Sequence, residues 1–214
     1  MKYVLIVTAL LYCFISINLI SSYSSSLDYD YVNSLIDQGE YDTALSYLEK
    51  LSFENPNDLD ILFYQGYIFD EIGRYDEALN YYDQVLWHAP NDIETLYNKA
   101  VTLEKFGKYD EALEYYDKVL KVNSNDIDSL LSKAILLNER EDYQESQRLF
   151  DKVLKIDPEN LAAKAYLQGI KKTEGINISE SGKTTIIALV IVGGLALTGG
   201  FALGYTIRKP KKKP

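Results

Sequence analysis

Through the middle of the chain, apolar and small residues recur at spacings of three and four, in short runs divided by polar breaks. In one such stretch Leu62, Gly66, Phe69 and Ile72 share a helix face, Gly73 interrupts, and Ala78, Leu79, Tyr82, Val85 and Leu86 resume the period. Two helices are therefore predicted, the second opening near Asp76. Pro90 ends it because proline cannot continue a helix, and Asn91 and Asp92 offer side chains to cap the next one. The small residues Gly66 and Ala78 predict a close approach between the paired helices.

The same block returns at a step of 34 residues, giving copies at 25–58, 59–92, 93–126 and 127–160. One column reads Tyr41, Tyr75, Tyr109, Tyr143, and others read Ala44, Ala78, Ala112, Ser146, then Gly39, Gly73, Gly107, Glu141, then Pro56, Pro90, Ser124, Pro158. A fixed step of this length marks stacked repeats, since a lone helix pair cannot bury its apolar faces.

These columns resemble the tetratricopeptide repeat family, whose pattern the second copy meets with Gly66, Gly73, Tyr75, Ala78, Tyr82 and Pro90. The third copy meets it with Ala100, Gly107, Tyr109, Ala112 and Tyr116, but has Ser124 in the proline place. The fourth has Ala134, Tyr143, Ser146, Phe150 and Pro158, with Glu141 where glycine is usual, and the first departs at Val32 and Leu48. The resemblance implies an all-α fold, a right-handed α-solenoid of helix-turn-helix units whose first helices line a concave groove. Carried onto this chain, the groove takes Asp60, Phe63, Tyr64, Tyr67, Asp70 and Glu71 from the second copy. The third gives Glu94, Tyr97, Asn98, Val101, Glu104 and Lys105, and the fourth Asp128, Leu131, Ser132, Ile135, Asn138 and Glu139. Tyr64, Tyr67, Tyr97, Asn98, Val101 and Ile135 are the expected partner contacts, because aromatic rings anchor and amides bond an extended backbone. The competing reading has the tyrosines packing between repeats. Family members that clamp a C-terminal carboxylate use bases where this chain has Asp128 and Ser132, so the expected partner is a basic or neutral protein or peptide, not an acidic tail.

The flanks differ from the repeats. Residues 1–22 carry one lysine, an apolar run from Tyr3 to Ile20 and then small residues, the layout of a signal peptide cut after Ser22 or Ser24, or of an uncleaved signal anchor. Residues 161–172 read as a capping helix with Ala162, Ala165, Tyr166 and Gly169 turned to the stack, and 173–185 as a polar linker. Asn177 in that linker heads a glycosylation triplet. Residues 186–207 hold no charge, and at ~1.5 Å per residue their ~33 Å suffices to cross a bilayer. Ala196, Gly200 and Gly204 lie four apart on it and permit helix pairing or self-association. Residues 208–214 are a basic tail, which the positive-inside rule keeps in the cytoplasm. The expected topology is single-pass in the cell membrane with the repeats on the extracytoplasmic side.

Charge sharpens this picture. Residues 25–180 hold 32 Asp and Glu against 15 Lys and Arg, a balance of −17, which opposes nucleic acid binding because phosphate contacts require cations. The one cysteine, Cys13, lies in the N-terminal run, and the one histidine is His88. Triads and zinc sites therefore lack parts within the repeats, and no catalytic residue, metal site or cofactor is expected. The expectation is a membrane-anchored scaffold or adaptor that holds a partner in its groove. Its alternative is a structural subunit of an envelope complex assembled through residues 186–207.

Overall fold

A computed structural model of the chain describes residues 29–174 apart from Asn57. The N-terminal run, Asn177 with most of the linker, the span 186–207 with Ala196, Gly200 and Gly204, and the basic tail lie outside the described residues. Among the described residues no helix is long and apolar enough to cross a membrane.

Among the described residues the regular structure is helical throughout. A first helix, α1, covers 29–37 and is followed by α2 (Tyr41–Glu54), α3 (Leu59–Glu71), α4 (Tyr75–His88) and α5 (Ile93–Lys105). Then come α6 (Tyr109–Val122), α7 (Ile127–Glu139), α8 (Tyr143–Ile156) and α9 (Leu161–Glu174). From α2 onward each helix packs on the next in order, and α3 also meets α5, so the first helices of successive pairs stack side by side.

The 34-residue step reappears as chemistry at both turns. Asp58 caps α3 by accepting from the Asp60 amide at 2.9 Å, Asp92 accepts from Thr95 at 2.9 Å, Asp126 from Ser129 at 3.0 Å, and Asn160 from Ala163 at 3.1 Å. These satisfy amides that a helix start leaves without partners. Within each pair the first helix closes in a left-handed residue, at φ +74° for Gly39, +78° for Gly73 and +80° for Gly107. The next amide then reaches back across the turn, as Arg74 N does to the Phe69 carbonyl at 2.8 Å, completing a Schellman closure. Glu141 takes the same conformation at φ +67° without being glycine, and Asp142 N still bonds the Leu137 carbonyl at 2.9 Å.

Packing inside each pair rests on two complementary columns, Val32, Gly66, Ala100, Ala134 facing Leu48, Tyr82, Tyr116, Phe150. All but Gly66, which is also buried, are fully enclosed at 0% exposure. Where the first column is smallest the second is an aromatic ring. A Cβ on Gly66 would stand 2.8 Å from Tyr82 Cε1 and 3.2 Å from Tyr81 Cβ. Val32 with Leu48 is the same arrangement with the bulk shared more evenly, which explains why the first copy tolerates departures from the pattern at both places.

Two expected faces need correction. The amphipathic stripe Leu62, Phe69 and Ile72 is only half-buried, while Ile61, Tyr64, Tyr67 and Ile68 go deeper. Flanked by neighbours on several sides, the first helices have little polar face, and in α5 every residue from Thr95 to Glu104 is buried. In α9 the stack is met by Ala163 at 0% and Leu167 at 6%, with Tyr166 stacked on Phe150 at 5.0 Å, whereas Ala165 and Gly169 are exposed. The core falls into two clusters: a large one from Val32 to Val119 that takes in Leu136, and a smaller one of Leu130, Ala134, Ile135, Phe150, Val153, Ala163 and Leu167.

Candidate partner-binding face

The first helices α1, α3, α5 and α7 bring the expected groove residues together, but as seams between repeats. Tyr64 is 3% exposed. Its ring stacks on Tyr29 at 5.3 Å, and its hydroxyl oxygen accepts from Asn33 Nδ2 at 2.8 Å, so both partners come from the preceding repeat. Burial pushes the Tyr64 hydroxyl pKa up to about 12, aided by the carboxylates of Asp60, Asp30 and Glu94 and opposed by the Asn33 hydrogen bond. Tyr67, buried, is raised further for the same first reason, with Glu71, Tyr41, Asp37 and Asp70 contributing. The Tyr97 hydroxyl lies 3.4 Å from Ser132 Oγ in the next repeat, and its ring centre is 6.0 Å from that of Tyr116. Asn98 and Val101 are fully enclosed, the Asn98 carbonyl accepting from Thr102 Oγ1 at 3.0 Å, and Ile135 belongs to the smaller core cluster.

The six expected contacts are thus not an open aromatic lining. The physical reason is reach: a tyrosine on one first helix spans the gap to the next, and covering that apolar ring between repeats is worth more than leaving it in water. Asp60 and Glu94, half-buried, and Glu71, Asp128 and Glu139, exposed, remain accessible on these helices. Glu104 is taken inside, where it accepts from the Tyr116 hydroxyl at 2.9 Å. Lys105, the one base expected in the groove, is tied to Asp70 at 2.5 Å. The accessible remainder of this face is anionic.

Sequence reasoning missed the Asp70 network. Its carboxylate, with a side chain 0% exposed, accepts from Thr102 Oγ1 at 2.8 Å and from Lys105 Nζ, both one repeat further on. The network left no column in the sequence, since an acid with a threonine and a lysine 32 and 35 residues further on occurs once and does not recur at the repeat step. Two further inter-repeat pairs, Lys99 with Asp83 and Lys133 with Asp117, repeat at the 34-residue step. Among the described residues no group of three or more His, Cys, Asp or Glu is placed to hold a metal ion.

Two family models match the chain: one described as anaphase-promoting complex, cyclosome, subunit 3 over residues 37–119, the other as tetratricopeptide repeat over 91–159. No curated protein matches it. Among solved structures, a tetratricopeptide repeat protein from Parabacteroides merdae is 22% identical with TM-score 0.63, the match covering 69% of this chain and 59% of that one. This chain therefore spans less than two thirds of that protein. YrrB, described as a TPR protein with an unusual peptide-binding site, is 20% identical with TM-score 0.57, covering 66% of this chain and 73% of its own. The first TPR of Spaghetti (RPAP3), solved bound to the HSP90 peptide SRMEEVD, is 19% identical with TM-score 0.51, covering 54% of this chain and 92% of its own. These likenesses establish the shared solenoid fold, and the family matches over residues 37–119 and 91–159 support kinship with the tetratricopeptide repeat family.

Proposed function

We propose that the protein is a membrane-anchored scaffold without catalytic activity, whose repeats stand on the extracytoplasmic side and hold a basic segment of a partner protein along the first-helix face. The observation that carries the charge preference is exposure: Asp60 and Glu94 are half-buried and Glu71, Asp128 and Glu139 exposed, while Lys105 is engaged by Asp70. Carboxylates spaced along a helical face favour Lys and Arg on a guest and disfavour acidic ones, which sets specificity and on-rate more than affinity. Peptide capture by YrrB and by the Spaghetti repeat supports the general mode. An acidic peptide such as SRMEEVD is the wrong charge for this face. The anchoring half of the reading rests on the uncharged run 186–207 followed by Arg208, Lys209, Lys211, Lys212 and Lys213.

The test is crosslinking capture in intact cells with the full chain, beside a variant carrying Asp60→Asn, Glu94→Gln and Asp128→Asn. Capture of a basic partner, weakened by salt and by the triple change, is expected. Undiminished capture by the variant refutes the electrostatic reading. Protease added to intact cells should digest the repeats, and protection of the repeats refutes the topology.

A further inference from the structure

The second helices carry a feature that the first-helix face does not explain. Phe53 and Trp87 are 83% and 84% exposed, and they occupy the same repeat position near the ends of α2 and α4, 34 residues apart. The next two members of that column are Lys121 and Lys155, both exposed, near the ends of α6 and α8. One helical turn earlier stand Lys50 beside Phe53 and Lys118 beside Lys121. A core position would not be this open, and a solvent-facing position in so acidic a chain would not collect two large aromatics and four lysines. None of these lysines takes a carboxylate partner among the described residues. One turn before the row the acids Glu49, Asp83, Asp117 and Asp151 are exposed as well, with Asp83 and Asp117 paired to Lys99 and Lys133 of the following repeats.

We infer that this row is a docking face for the anionic surface of a lipid bilayer. An indole and a phenyl ring next to lysines on one exposed face is the chemistry of the headgroup zone, where rings enter the interface and ammonium groups meet phosphate. The inference rests on the anchored reading above, and the lengths of chain on either side fit it. The apolar run ending at Ile20 stops eight residues short of α1, whose first residue, Tyr29, bonds Asp58 just beyond the end of α2. At the other end, residues 175–185 reach ~36 Å when extended, more than the ~21 Å length of α9, so the tether allows the edge that carries the row to turn toward the bilayer. The row would bring that edge of the solenoid, the ends of the second helices, to the membrane and leave the anionic first-helix face open to a guest.

Trp87 is the one tryptophan in the chain, so its fluorescence reports the face without labelling. The full chain is reconstituted in phosphatidylcholine vesicles with or without phosphatidylglycerol, and excited selectively at the indole band. The expected result is blue-shifted emission quenched by brominated lipid in the anionic vesicles only. Replacing Lys121 and Lys155 by glutamate should weaken this contact about fivefold or more for each lysine lost. If the chain stays inserted through alkaline carbonate but Trp87 remains open to aqueous iodide and deaf to brominated lipid, the anchored reading stands and this inference fails. If Trp87 is shielded from iodide without quenching by brominated lipid, a second copy covers the face and the inference fails again. If the chain separates from the vesicles altogether, the anchored reading fails, and the inference with it.

Discussion

Glu141 offers the sharpest test of the turn chemistry. It holds φ +67° at the place where Gly39, Gly73 and Gly107 lie between +74° and +80°. A side chain in the left-handed region costs about 1–2 kcal/mol, while glycine there gives back about 0.4–1 kcal/mol through a freer unfolded chain. Glu141→Gly is therefore expected to stabilise the fold by about 0.5–1 kcal/mol, or about 1–4 °C in Tm for a domain of this size. The reverse perturbation is equally clean. A Cβ built on Gly107 meets nothing within 4 Å, so Gly107→Ala introduces no clash, and its cost of about 1 kcal/mol is left-handed backbone strain, partly offset by a stiffer unfolded chain. Chemical denaturation followed by helical circular dichroism, with hydrogen exchange of α7 and α8 amides, reads both. A neutral or destabilising Glu141→Gly alongside a neutral Gly107→Ala would show that backbone strain at this column does not matter and would refute the reasoning.

Other expectations are testable in the same preparations. Gly66→Ala forces a methyl to 2.8 Å from Tyr82 Cε1 and should cost about 1–3 kcal/mol, with Tyr82→Leu recovering part of it in the double variant; strictly additive losses would contradict the packing account. Asp70→Ala, which strips Thr102 and Lys105 of their shared acceptor, should cost about 1–3 kcal/mol, whereas Arg74→Ala at its exposed pair with Glu77 should shift stability by no more than about 0.5 kcal/mol. Burial is the first cause raising the pKa of Tyr29, Tyr64, Tyr67 and Tyr82. Because the folded pKa exceeds the unfolded one, this stability is complete below pH 10 and declines as pH rises toward 12 and beyond, by about 1.4 kcal/mol per pH unit for each tyrosine still protonated in the fold. Denaturation midpoints that stay level from pH 8 to 11.5 would refute it.

The repeats were legible because their columns obey local rules: Asp or Asn before each first helix, a left-handed residue after it, a small residue opposite a large one. Each rule acts within a turn or a pair and leaves its mark at a fixed step. The partner face was less legible. Carrying family positions onto the chain finds which residues point inward, but not how far a tyrosine reaches, so Tyr64, Tyr67 and Tyr97 read equally as partner contacts or as packing between repeats, and the structure places them in the seams. The tilt of α9 went astray for a related reason: Ala163 follows the buried column Ile61, Thr95 and Ser129, whereas Ala165 and Gly169 satisfy a helical wheel drawn without its neighbour. Phe53 and Trp87 were visible as letters, but only their exposure separates them from the buried aromatics around them.

The division of the apolar interior into two clusters has a mechanical consequence. The smaller group, joining α7, α8 and α9 through seven side chains, lies nearest the chain's C-terminal side, and it meets the larger group across a seam that holds Leu136, the Tyr97–Ser132 contact and the Lys133–Asp117 and Arg140–Asp110 pairs. Tension applied from that side loads the short segment first, which gives way and lengthens the molecule while the first three helix pairs keep their shape.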